Sequence, residues 1–309
     1  MTVGISLPPP VRVADLRGFR FSIVHAAMVV PALLWLGAFF LTPAAIMFSF
    51  SILTQPPNGD VGLPLTFSHY ARLLGTPLYL NVLLVTLKVA ALTALFAVVL
   101  GYPVALMIAR GRPWISRLTT IIIIAPLVVS VVVRTYGWLL LLANNNAGVI
   151  NWALSWLGFG PAAVRLLYSE TAVVIGSLHV FLPMMVLPLA SALSRINPAL
   201  EDAAATLGAS AWRAFWRVTV PLSMPGLVAG ITMVFSLTAA SFVTPAILGG
   251  NYGIMLGNLL EQQVMTVYDW PFGSAIAVVM VLVTFVVNGL SVWLLERRMN
   301  QRRRLSEAG

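Results

Sequence analysis

Residues 201–221 read EDAAATLGASAWRAFWRVTVP, and apolar runs flank them at 171–193 and 226–248. Pro198 sits where a helix can begin, and Glu201 and Asp202 fall in its first turn, where acids complement the helix dipole. Ala203, Ala204 and Ala205 give that helix a small face that another protein can approach closely. Gly208 permits a left-handed residue, so the chain can turn into a second helix, expected from Trp212 to Val218 before Pro221 leads into the next apolar run. A polar helical hairpin between two stretches long enough to cross a bilayer indicates a polytopic membrane protein.

The rest of the chain agrees. Of its 309 residues, 60% are hydrophobic and 9% charged, with a mean hydropathy of +0.95, too apolar for a water-soluble core to absorb. A spanning helix needs roughly 20 apolar residues. Six stretches qualify, with cores at Ala26–Phe50, Asn81–Ala109, Leu118–Leu142, Thr171–Leu193, Gly226–Leu248 and Phe272–Leu295. The fold class is therefore all-α with six transmembrane helices. Residues 1–22 form an N-terminal segment, 23–296 the transmembrane domain, 194–225 its largest polar loop, and 297–309 a basic tail. The first span is expected to be an uncleaved anchor, since no small-residue cleavage signal follows it at signal-peptide distance.

The formal charge of +9 raises the question of a nucleic-acid partner, and the placement of the cations answers it. Arg12, Arg17 and Arg20 precede the first span; Arg110, Arg112 and Arg117 follow the second; Arg195, Arg213 and Arg217 follow the fourth; Arg297, Arg298, Arg302, Arg303 and Arg304 follow the sixth. The alternate loops carry only Arg72 and Arg165, together with Asp60, Glu170, Glu261 and Asp269. By the positive-inside rule both termini and the second and fourth loops are cytoplasmic. The expected location is a cell inner membrane, and no nucleic-acid partner is implied.

The hairpin also carries a family pattern. Asp202-Ala203-Ala204, three residues, Gly208, nine residues, then Val218-Thr219-Val220-Pro221 resembles the EAA loop of binding-protein-dependent ABC importer permeases. Aspartate stands where that family usually has glutamate, and Glu201 lies beside it, so either acid can make the family's contact with the ATPase. Pro126-Leu-Val-Val-Ser130, Arg134-Thr-Tyr136-Gly-Trp138, Ser241-Phe-Val-Thr-Pro245 and Asp269-Trp-Pro-Phe-Gly273 are similar to segments of the spermidine/putrescine-type permeases. The resemblance runs from about Ala26 to Glu296. It implies a type I importer fold in which this chain pairs with a second permease, expected to be a different chain. It further implies an ABC ATPase dimer as motor and a periplasmic binding protein that delivers a small-molecule substrate. Glu201, Asp202, Ala203, Ala204, Gly208 and Pro221 become the coupling candidates. Spermidine, putrescine or a related organic cation is the expected cargo, with opines, amino acid derivatives or phosphonates as the alternative. A secondary transporter independent of any ATPase is the more distant alternative.

The chain is not expected to be an enzyme. Lys88 is its only lysine and lies inside a span, so there is no Gly-x4-Gly-Lys-Ser/Thr phosphate loop. His25, His69 and His179 have no metal-ligand spacing, and there is no cysteine, so no metal or cofactor is expected. Lys88 and Arg134 are charges within spans, which makes them functional candidates. Lys88 can instead snorkel to the headgroups, and Arg134 suits a buried structural or inter-subunit role. Tyr136, Trp138 and Phe242 are candidates for lining a path, where aromatic faces hold organic cations weakly.

Overall fold

The computed structural model describes residues 23–56, 59–145, 148–159 and 164–307. The N-terminal segment with Arg12, Arg17 and Arg20 lies outside them. The described chain is helical, and it divides into two units.

The first unit is a single apolar helical run. Helix α1 (Ile23–Leu36) passes through a π turn at Gly37–Leu41 into α2 (Thr42–Phe50). Its spanning portion, Val29–Phe50, buries none of its residues within the protein.

The second unit contains α3 (Ser68–Gly75), α4 (Pro77–Arg110), α5 (Pro113–Val128), α6 (Val131–Leu141), α7 (Val149–Trp156) and α8 (Glu170–Ser194). There follow α9 (Ala199–Thr206), α10 (Ala211–Ala214), α11 (Val220–Ala239), α12 (Val243–Leu248), α13 (Leu256–Gln262) and α14 (Trp270–Glu307). The long helices α4, α8 and α11 pack on one another, and α8 is the most enclosed, with 56% of its apolar window buried. Met185 and Leu189 of α8 are fully buried between residues of α4 and α11. Gly226 of α11 explains how closely these helices approach: a Cβ there would stand 2.4 Å from the Ala192 Cβ and 2.7 Å from the Pro188 carbonyl oxygen. Small residues at such crossings are how membrane helices gain packing where lipid supplies no hydrophobic drive.

Five helical segments are long and apolar enough to cross a membrane, and the bent pair α5–α6 passes the same test only when its two helices are taken together. The third span is not one helix. It turns by 103° between Val128 and Val131, because Pro126 removes a donor from the last turn of α5 and Val129 and Ser130 are extended. The fifth span also differs from expectation. It starts at Ala211, runs through α10 and a π turn at Phe215–Thr219, and ends at Ala239. Trp212–Val218 is thus its first turns and not a separate helix. The π turn shifts the carbonyl register so that Pro221, at the start of α11, needs no donor. Residues 243–248 form the separate helix α12, with Pro245 in its first turn, where no N–H is needed. The last helix continues through Arg297, which lies 3.8 Å over the Trp293 ring, to Glu307, so the described part of the basic tail is an extension of the final span.

The loop elements expected from sequence are present. Helix α7 follows the asparagine cluster, where Asn144 exchanges hydrogen bonds with the Leu167 backbone at 2.9 Å in each direction. The near-helical spacing after Leu256 is α13 with a π turn at Gln263–Val267.

Candidate functional site

The hairpin joins α8 to the fifth span at the end of the bundle where α4 finishes. Asn197 accepts a hydrogen bond from the Ala199 N–H at 3.1 Å and starts α9, an eight-residue helix with no buried residue. The helix stops in a double turn: the Ala209 N–H donates to the Ala204 carbonyl at 3.0 Å and the Gly208 N–H to the Ala205 carbonyl at 2.9 Å. Gly208 sits between them at φ +82°, the left-handed conformation that glycine adopts without strain. Ser210 then caps the fifth span by accepting from the Arg213 N–H at 3.4 Å.

The two acids of α9 have different surroundings. Glu201 Oε1 accepts from Arg110 Nη2 at 3.1 Å and from Thr219 Oγ1 at 2.9 Å. Asp202, one residue on and about 100° around the helix, is exposed. A cavity of 300 Å³ lies between the helices here, lined by Leu106, Arg110, Asp202, Ala205 and Phe215 among others. Phe215 also packs edge-on to Tyr102 of α4 at 5.3 Å. The outer surface of the hairpin is apolar for a polar loop: Leu207 is 89% exposed and Trp212 71%, with Leu200 and Trp216 half exposed. Ala203 is exposed and Ala204 half-buried, so the small face of α9 is available.

The charges within spans are placed unequally. Lys88 Nζ pairs with Glu170 Oε2 at 2.6 Å, at the first turn of α8. Arg134 has no such partner: its Nε and Nη1 are buried without a hydrogen bond. It lies one turn before Trp138, whose ring meets His179 of α8 edge-on at 5.6 Å. The aromatic candidates are not brought together. Trp138 packs inward against the core of α8, whereas Tyr136 is on the exposed side of α6. Phe242 is half exposed, and its carbonyl accepts from Asn258 Nδ2 at 2.8 Å. At the opposite end of the bundle from the hairpin, Arg72 pairs with Asp269 at 3.0 Å and lies 4.1 Å over the Phe272 ring. His69 bonds the Leu53 carbonyl at 2.9 Å, a structural contact. Among the described residues no group of His, Asp or Glu is placed to hold a metal.

Residues 97–301, from mid-α4 through the hairpin and into α14, match the family described as binding-protein-dependent transport system inner membrane component. The chain belongs to that family. It is accordingly a multi-pass inner-membrane permease, the non-catalytic transmembrane component of a binding-protein-dependent ABC importer. The spermidine/putrescine transport system permease protein PotB of Salmonella typhimurium (strain LT2) is 34% identical over 275 residues, 89% of this chain and 94% of that protein. The molybdenum transport system permease protein ModB of Mycobacterium bovis is 32% identical over 237 residues, 76% of this chain and 87% of that one. The permease fold is shared with a crystal structure of a bacterial ABC transporter that imports the acidic polysaccharide alginate. The TM-score is 0.70 at 18% identity, covering 92% of this chain and 99% of that one.

Proposed function

We propose that the 194–225 hairpin is the element through which an ABC ATPase moves this permease. The observation that carries the reading is the exposed apolar tip of the hairpin, Leu207 at the end of α9 and Trp212 in α10, beside the exposed Asp202 of α9. Large apolar side chains in a charged loop mark a protein contact, and a helix of this size fits a cleft. The hairpin end, with Arg110, Arg112, Arg195, Arg213 and Arg217, is the cytoplasmic face by the positive-inside rule. In this reading both termini are cytoplasmic, residues 1–22 lead into the first span and residues 297–309 extend the last. The permease works with a second permease, an ATPase dimer and a periplasmic binding protein.

For cargo we propose a small organic cation of the spermidine/putrescine kind. The support is the likeness to PotB over nearly the whole chain; the breadth of the family, which includes a protein named for molybdenum, keeps opines, amino acid derivatives and phosphonates as competitors. The acidic loops give less support than their sequence implies, because Asp269 and Glu170 are spent on Arg72 and Lys88.

Two measurements test this. A Leu207→Cys variant in this cysteine-free chain should cross-link to the ATPase in the assembled transporter, and failure at 207 and at 212 removes the coupling reading. Uptake by the complete transporter should favour labelled spermidine or putrescine, and uptake of anionic solutes alone removes the cargo reading.

A further inference from the structure

We infer that Glu201 is a positioning residue, an internal latch that ties α9 to two spans at once and leaves Asp202 as the acid presented outward. The inference rests on the coupling reading above and assigns separate tasks to two adjacent acids that the sequence leaves interchangeable.

The latch follows from what holds α9 in place. The helix has no buried residue, so core packing does not fix it. Its chain connections are the short segment 195–198 and the Gly208 turn. Its side-chain tie is Glu201, which reaches Arg110 in the last turn of α4 and Thr219 in the π turn at the base of the fifth span. Those two partners are separated from Glu201 by 91 and 18 residues, so the carboxylate closes the hairpin onto both neighbours. The Thr219 residue is only 4% exposed, and a buried hydroxyl requires a partner. Arg110 also complements the C-terminal dipole of α4. The bond to Arg110 is charge-assisted at both ends and only partly solvent-accessible, with side-chain exposures of 25% for Arg110 and 36% for Glu201, which makes it stronger than a surface pair.

The mechanical consequence is specific. A push on α9 reaches α4 and α11 directly through Glu201, and both of these helices pack on α8. Without the latch, α9 can move on its own connections while the spans stay behind. The ATPase would still bind, since Asp202, Leu207 and Trp212 remain exposed, but its closure would be wasted. Asp202 itself makes no side-chain hydrogen bond or ion pair among the described residues.

The test uses the complete transporter in proteoliposomes, with two readouts: solute imported per ATP hydrolysed, and retention of the ATPase on affinity purification. Glu201→Gln should lower the yield per ATP about tenfold, the size expected for losing one charge-assisted contact, with the ATPase retained. Arg110→Glu should do the same. The exchanged pair Arg110→Glu with Glu201→Arg should recover to about half of the wild-type yield, because a true pair shows coupling in a double-mutant cycle. Asp202→Asn should show the opposite pattern, loss of ATPase retention. If the charge reversals do not assemble, Thr219→Val removes one donor and Arg110→Lys replaces the guanidinium fork by a shorter ammonium, and each should lower the yield per ATP by a few-fold. An unchanged yield in Glu201→Gln overturns the latch, as does loss of the ATPase in that variant while Arg110→Lys retains it. Failure of the underlying coupling reading is distinguishable: Asp202→Asn, Leu207→Asp and Gly208→Val would then all transport normally.

Discussion

Replacing Gly208 by valine isolates one physical term. The residue sits at φ +82°, and among the described residues nothing beyond its two chain neighbours lies within 4 Å of a Cβ built there. A side chain at 208 therefore meets no neighbour among the described residues, and the cost arises from the backbone. For an L-residue that cost is about 1–2 kcal/mol in the left-handed region, and β-branching puts valine at the upper end. At ~2 kcal/mol the turn shifts by roughly 30-fold toward other conformations. The hydrogen bonds from Gly208 and Ala209 back to Ala205 and Ala204 depend on that turn. Since α9 has no buried residue to resist, the shift falls on the presentation of Leu207 and Asp202.

The measurement is solute uptake by the complete transporter at matched membrane levels of asparagine, alanine and valine variants. Asparagine tolerates the left-handed region better than alanine, and valine least. Uptake should follow that order, with Gly208→Val near background and still inserted in the membrane. Wild-type uptake from the valine variant refutes the reasoning outright. Asparagine as poor as valine would move the cause from backbone conformation to bulk against the ATPase.

Single cysteines at positions 112 and 210 should be shielded from an impermeant reagent in intact cells, and those at 145 and 258 labelled; the reverse pattern inverts the orientation. Gly226→Val should destabilise the α8–α11 crossing by about 1–3 kcal/mol, read as a lower unfolding temperature in detergent, and an unchanged value contradicts the close approach. Lys88→Met alone should be less stable than Lys88→Met with Glu170→Gln, because the single change strands a half-buried carboxylate; equal stabilities argue that the pair is not formed in the membrane. Arg134→Gln should leave transport of a cationic solute intact, whereas selective loss of an anionic one contradicts both the cargo reading and the inward packing of Arg134.

The spans were legible because apolar length is a property of sequence alone, and four of the six stretches correspond to continuous helical runs, whereas 118–142 and 226–248 are each broken. Hydropathy carries no direction, however, so the 103° turn after Pro126 looked like one straight span. The fifth span was displaced for a related reason: Pro221 reads as a boundary, yet the π turn before it lets the helix pass. The hairpin was legible through the spacing of Asp202, Gly208 and Pro221, and the left-handed Gly208 is present. The different surroundings of Glu201 and Asp202 were not legible. They depend on Arg110, which belongs to another span, and on the helical angle between adjacent residues. The path candidates fared similarly, since Tyr136 and Trp138 are two apart and a helix sends them to different sides.

The pairing of charges bears on selectivity. Glu201, Glu170 and Asp269 each meet an arginine or lysine of the same chain, at Arg110, Lys88 and Arg72. These acids join elements far apart in sequence, and each pair cancels its charge at a distance of a few ångströms. What is left unpaired within the spans is a cation, Arg134, whose burial costs about 3 kcal/mol on insertion scales unless something compensates it. On the face opposite the hairpin this pairing leaves Asp60 and Glu261 as the exposed acids, a weak attraction for a polyamine. That attraction is also screened within roughly 8 Å in physiological salt. Discrimination of a cationic cargo is then a task for whatever delivers it, and the permease needs only a passage that keeps Arg134 out of the lumen. Two nitrogens of Arg134, Nε and Nη1, are buried one helical turn before Trp138, which is the kind of placement such a passage requires.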